Sequence, residues 1–316
     1  VEVQAGGEAL NVGQILADGG SAGIYAGLIN QQGIVRANSV SRDAGGRIVF
    51  RSTDVLVNSG TVQADGAQGG SVAIQARNIL SAGQITAEGS QGTGGEIDVQ
   101  AAGRILQTSA ARLSADGDAG GGKVTLQAAD RVFGSGTLTA IGLGAGSAGG
   151  EVKVLGNEIV LLGASLDASG DAGSGAVLVG GDFQGKNPAV QNATTNWINF
   201  STTINADART TGNGGKVIVW SDQETKFYGS ISARGGSQAG DGGFIEVSGK
   251  ENLVFGGMAD AGAPNGTPGT LLLDPKFIIV DSAGGGGGLA SFLLVDPNPG
   301  ASDQFASQIA VLPNDN

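Results

Sequence analysis

Apolar residues in this chain come in short bursts that alternate with polar ones. A Gly-Gly pair, or a close variant, is followed by one free position, a branched aliphatic residue, another free position and a second apolar residue. GGRIVF ends at Phe50, GGSVAI at Ile74, GGEIDV at Val99, GGKVTL at Leu126, GGEVKV at Val154 and SGAVLV at Val179. GGKVIV ends at Val219, GGFIEV at Val247 and PGTLLL at Leu273, and a weaker copy lies at Ala22–Ala26. A period of two within each burst is the mark of a strand buried on one side.

The second glycines fall at Gly23, Gly46, Gly70, Gly95, Gly122, Gly150, Gly175, Gly215, Gly243 and Gly269, at spacings of 23 to 28 with a single interval of 40. A second phrase recurs in each repeat, as in GTVQADG (Gly60–Gly66), GQITAEG (Gly83–Gly89) and ASLDASG (Ala164–Gly170). Between the two phrases sits a short apolar touch, such as Ile79, Ile105, Val132, Ile159 or Leu253. Three strand-like pieces in each repeat of this length predict one rung of a solenoid. The fold class is therefore all-β, a right-handed parallel β-helix (β-solenoid) of about ten triangular rungs.

Alternation assigns the interior. One inward column runs Ile48, Val72, Ile97, Val124, Val152, Val177, Val217, Ile245 and Leu271, and a second runs from Phe50 and Ile74 to Leu273. A third contains Val62, Ile85, Leu113, Leu138, Leu166, Ile204 and Ile231. A fourth is purely alanine, at Ala64, Ala87, Ala115, Ala140, Ala168, Ala206 and Ala233. Like side chains stack when rungs repeat at about 4.8 Å, and the alanines mark a narrow part of the cross-section that a larger side chain would overpack. Glu96, Lys123 and Glu151 occupy one outward slot on successive rungs, where opposite charges favour correct register.

Composition narrows the function. Glycine makes up 60 of 316 residues, against a usual level of roughly 7%. That is a supply of tight turns rather than collagen, since no Gly-X-Y period runs through the chain. A net charge of −12 repels phosphate backbones, so nucleic acid is not an expected partner. With no cysteine and no histidine, there is no disulfide framework or thiolate metal site, and the commonest general base is missing. No apolar stretch is long enough to span a bilayer as a helix.

Two places break the pattern. The 40-residue interval holds an expected insertion at about residues 180–203, with Phe183, Trp197 and Phe200. The other is VWSDQETKFYG, with Trp220, Phe227 and Tyr228. These six aromatics are the candidate ligand-binding patch, suited to sugar or protein; the competing reading is that they cap or pack the rod. The expected domains are a β-helix over residues 1–280, then a Gly-rich linker containing Gly284–Gly288 and the start of a separate module over 281–316. The chain opens and stops in mid-pattern, which reads as a fragment.

The phrases GGxVxLxA and GxIxAxG resemble the hemagglutination repeats of filamentous-hemagglutinin-like exoproteins of the two-partner secretion type, over roughly residues 1–280. The stretch GNGGKVIVWSDQETKFYGSISARGG (Gly212–Gly236) looks like large cyanobacterial proteins of this kind. The tail LLVDPNPGASDQFASQIAVLPN looks like the opening of a propeller-type repeat. The resemblance implies export through a dedicated outer-membrane β-barrel partner and folding outside the cell as a long β-helix. It implies attachment to host or neighbouring cell surfaces, glycans or other copies, and roles in aggregation and biofilm. The family's N-terminal secretion-signal domain is not expected within this stretch.

Other chemistry finds little footing. GLGAGSAGG contains GxGxxG, but a repeat strand follows it where a dinucleotide site needs a helix. ADGDAGGG (Ala115–Gly122) and AGDGG (Ala239–Gly243) approach a calcium-binding repeat without recurring in register. Glycan-cleaving β-helices cluster their carboxylates, whereas Asp65, Asp167 and Asp207 are isolated along their column. The expectation is a non-enzymatic protein with no cofactor.

Overall fold

The computed structural model describes residues 6–39, 45–173, 175–280 and 292–293. Its strands pair in parallel from one repeat to the next and build a β-solenoid with three strand-bearing faces. The first face carries the strands after the Gly-Gly corner, such as Glu96–Ala101 and Lys123–Ala128. The second carries short strands such as Arg104–Gln107 and Arg131–Gly134. The third is a separate sheet of ten strands, among them Arg112–Ser114 and Thr137–Thr139.

The ladders fall in the register that the repeat predicts. Val72, Ile97, Val124, Val152, Val177, Val217, Ile245 and Leu271 are partners in turn along the first face. The third-face column runs Val62, Ile85, Leu113, Leu138, Leu166, Ile204 and Ile231. Each of these side chains is buried, and the seven column alanines are fully so. Every rung therefore contributes the same apolar atoms to one continuous core, and dispersion contacts repeat along the axis.

Glycine and alanine share one corner for one reason. The second glycine of each pair donates its N–H to the column alanine of its own rung, as Gly95 does to Ala87 and Gly122 to Ala115, both at 2.7 Å. That bond folds the chain from the third face of one rung into the first face of the next. A Cβ on Gly122 would lie 2.1 Å from the carbonyl oxygen of Gly95, and one on Gly95 would lie 1.9 Å from that of Gly70. Stacked backbones leave no room for a side chain there.

Glu96, Lys123 and Glu151 are register partners as expected. The Glu151 carboxylate, however, pairs with Lys153 on its own strand at 2.7 Å. Both lysines are within reach of a flexible side chain, and the ion pair forms along the strand rather than across the rungs. The expected C-terminal linker and module fall outside the described residues, apart from the strand Phe292–Leu293, whose backbone pairs with Leu271 and Leu272.

Candidate functional site

The loop that leaves the rod is shorter than the interval suggests. Ala193–Ile198 is an ordinary second-face strand, in register with Glu158–Leu161 below and with the Glu224–Phe227 segment above. Thr203–Asn205 is an ordinary third-face strand. The extra chain is therefore Gly180–Asn192, inserted at the corner between the first and second faces. The second-face strand is hidden in the sequence because Asn196 fills the slot that Ile159 holds one rung below. Asn196 is buried, and its amide donates to the Trp220 carbonyl at 2.7 Å.

This insertion folds down over the outward side of the first face. Leu178, Ile218 and Trp220 form a second small apolar core there, with Phe244 packed against it. Trp220 faces outward, as alternation predicts, but only 4% of it is exposed. Its indole lies against Gly185, where a Cβ would come within 2.3 Å of the ring nitrogen, and that nitrogen donates to Asp222 at 3.1 Å. Phe183 meets Phe244 edge-on at 5.7 Å between ring centres. Gln184 at the turn has φ of 53°, a left-handed conformation that costs a non-glycine residue energy.

Polar groups pin the insertion in place. Gln184 donates its backbone N–H to the Glu246 carboxylate (3.1 and 3.3 Å) and its side-chain amide to Asp274 at 2.9 Å. Lys216 and Asn187 donate to Asp182 at 2.9 and 2.8 Å. Burial pushes Glu246 up to about 7, opposed by the Gln184 and Ser248 donors and reinforced by the charges of Asp274 and Asp182. At Asp182, burial is outweighed by donors from Asn187, Lys216 and Phe183, which hold its carboxyl at about 2. Among the described residues, no group of three or more acidic side chains is arranged to hold a metal ion.

The six candidate aromatics therefore separate. Phe227 points inward, fully buried, and stacks on Phe255 with ring centres 5.6 Å apart, so it belongs to the core and not to a surface patch. Trp220 is roofed by the insertion. Phe183 remains 44% exposed at the edge of that roof, and Tyr228 is half-buried. Trp197 and Phe200 lie on the uncovered side, 49% and 83% exposed.

Trp197 is one member of a longer feature that the repeat phrases do not reveal. Its register partners on the outward side of the second face form a row of Val57, Leu80, Leu106, Phe133, Val160 and Trp197, continued past Lys226 by Val254 and Ile279. Leu106 and Ile279 are exposed, and Leu80, Phe133 and Val254 are half-exposed. The signal for it lies in NILS, RILQ, RVFG and EIVL, where both parities of a short strand are apolar. Beside it runs an outward row of Asn78, Arg104, Arg131, Glu158, Thr195, Glu224 and Asn252. Arg131 bonds Glu158 at 2.8 Å, and Lys226 pairs with Glu224 at 2.9 Å.

The isolated aspartates have a structural use at the exit of the third face. Asp65 accepts the N–H of Glu88 at 2.7 Å, and Asp207 accepts that of Arg234 at 2.6 Å, each one rung further on. Asp116 does the same for Ile141 at 2.8 Å. Asp167 instead accepts from Ser169 in its own turn at 2.8 Å.

No protein-family model matches the sequence, and no curated protein does. Among solved structures, the chain is similar to the HMW1 secretion domain from Haemophilus influenzae. Identity is 18%, the match covers 85% of this chain and 88% of that one, and the TM-score is 0.48. Among the described residues, no helix is long and apolar enough to cross a membrane.

Proposed function

We propose that this chain is a structural and adhesive segment of a secreted bacterial surface protein, exported through an outer-membrane β-barrel partner. Its work is attachment and aggregation at cell surfaces. The observation that carries this reading is the apolar outward row of the second face, in which Leu106 and Trp197 are exposed and Phe133 half-exposed, interrupted only by the recessed Val160. Contiguous apolar surface of this kind marks an interaction site. A stacked solenoid keeps the row continuous, because each rung repeats the one below. The repeat phrases shared with filamentous-hemagglutinin-like exoproteins support export and adhesion.

The test is attachment by the chain alone. Beads coated with it should clump, or be retained on bacterial or glycan-coated surfaces, more than albumin-coated beads. Beads that do neither overturn the reading.

A second reading, a carbohydrate-recognising rod, draws on the exposure of Trp197 and Phe200. An open aromatic face offers an apolar platform with a polar edge, which suits a sugar ring. A glycan array probed with the unaltered chain and with Trp197→Ala/Phe200→Ala tests it. Binding that survives the double substitution excludes these rings as the platform.

A further inference from the structure

The second face has a symmetry that its sequence does not announce. Taking the Glu158–Leu161 strand as a centre, most positions on either side match in opposite pairs; Leu106 against Lys226 and Arg131 against Thr195 do not. Four steps out on each side are Val57 and Ile279. Three steps out are Leu80 and Val254, and one step out are Phe133 and Trp197. In the neighbouring row, two steps out, stand Arg104 and Glu224, and three steps out stand Asn78 and Asn252.

We propose that the occupant of this face is a second copy of the chain, laid antiparallel about a two-fold axis along the Glu158–Leu161 strand; this rests on the adhesive reading above and names its partner. A rotation about a strand direction preserves that direction and reverses the order of the rungs. Each row then meets the same row of the other copy, inverted. Phe133 packs on Trp197 of the other copy, twice, over the recessed Val160 at the axis. Arg104 faces Glu224, twice, and Asn78 faces Asn252, amide to amide. The two Glu158 carboxylates meet at the axis between two Arg131 guanidiniums, so the centre is neutral. Lys226, whose ammonium is held by Glu224, lays its aliphatic stem over Leu106. An interface in which residue i meets j and j meets i is the isologous form that a closed dimer requires. A parallel arrangement would set Arg104 and Glu224 each at the height of its own copy and lose this complementarity.

The size of the face sets the affinity. Eight steps of about 4.8 Å by a four-residue strand give roughly 500 Å² per copy. Both copies together bury about 1,000 Å², the lower edge of a specific interface, so the dimer should be weak, with Kd in the micromolar range.

Sedimentation equilibrium of the full chain over a micromolar to millimolar range tests this. The unaltered chain should dimerise. Arg104→Glu should raise Kd by about tenfold or more, and Arg104→Glu/Glu224→Arg/Lys226→Glu, which keeps an ion pair between positions 224 and 226, should bring it back to within about threefold of the original. Thermal melting checks that both variants stay folded, as outward surface substitutions should. A chain that is monomeric throughout overturns the proposal. So does a dimer indifferent to Arg104→Glu, or one that the charge swap fails to rescue. A dimer without bead adhesion would sink only the adhesive reading. Adhesion by a strict monomer would sink only this proposal.

Discussion

Two outward rows of this rod are apolar, and they are treated oppositely. On the first face, Leu178, Ile218 and Trp220 are sealed by the Gly180–Asn192 insertion. On the second, Leu106 and Trp197 are exposed and Phe133 half-exposed, on rungs that reach from well below the insertion up to its own level. Both break the strand alternation that puts polar residues outside. The contrast shows that an apolar outward residue in a solenoid has no fixed meaning: it is a core residue where the chain supplies a roof and a solvent-facing one where it does not.

The largest effect that can separate the two rows is loss of the roofed tryptophan. Trp220→Ala should cost about 3–5 kcal/mol, because a large buried ring is lost and the insertion has nothing to rest on. Chemical denaturation measures it. A cost below about 1 kcal/mol would mean that the roof does not seal.

Next comes the carboxylate beneath the roof. The folded chain keeps a proton on Glu246 up to about pH 7, whereas an unfolded chain gives it up near the ordinary glutamate value of about 4.3. Folded stability must therefore fall as pH rises through that window, by roughly 4 kcal/mol in full. Glu246→Gln should remove this part of the fall, so the variant gains on the parent between about pH 5 and pH 8. Parallel stability–pH curves for the two would refute it. Asp98 and Asp207 are also raised by burial, but they are common to both proteins and cancel in the difference.

A smaller change tests the interior that supports both rows. Ala168→Leu should destabilise by about 1–3 kcal/mol through overpacking of the alanine column, read as a drop in melting temperature. Smallest of all, Trp197→Ala should shift the stability of the monomer by less than about 0.5 kcal/mol. A loss there as large as that at Trp220 would show that the second face is roofed too.

The interior is legible in the sequence because its rule is local and repeated. A position two residues on points the same way, and a position one rung on is its neighbour. That rule alone sets Ile97, Val124 and Val152 beside one another, as the ladders have them. It fails where one element covers another. Nothing in VWSDQ says that Trp220 will be roofed by residues more than thirty positions earlier in the chain. Phe227 escapes the rule because the chain runs unbroken from Lys216 to Phe227 across a corner, and the parity of one face cannot be counted through to the next. Its true column, Leu161, Ile198, Phe227 and Phe255, begins as buried Gln31, Asn58, Ser81 and Gln107, so no single residue type flags it. The open row hides for a simpler reason: each of its members follows or precedes a core residue and reads as part of the same burst.

Parallel stacking also fixes how the molecule yields to force. Each rung is bonded only to the rungs on either side, so tension on the polypeptide strips coils off the end in sequence. Each coil of about 25 residues that comes away releases up to roughly 80 Å of extended chain, while the remaining stack shortens by only about 5 Å. A rod built this way lengthens in many small instalments under load instead of snapping at one point, so a sudden pull is spread out over time.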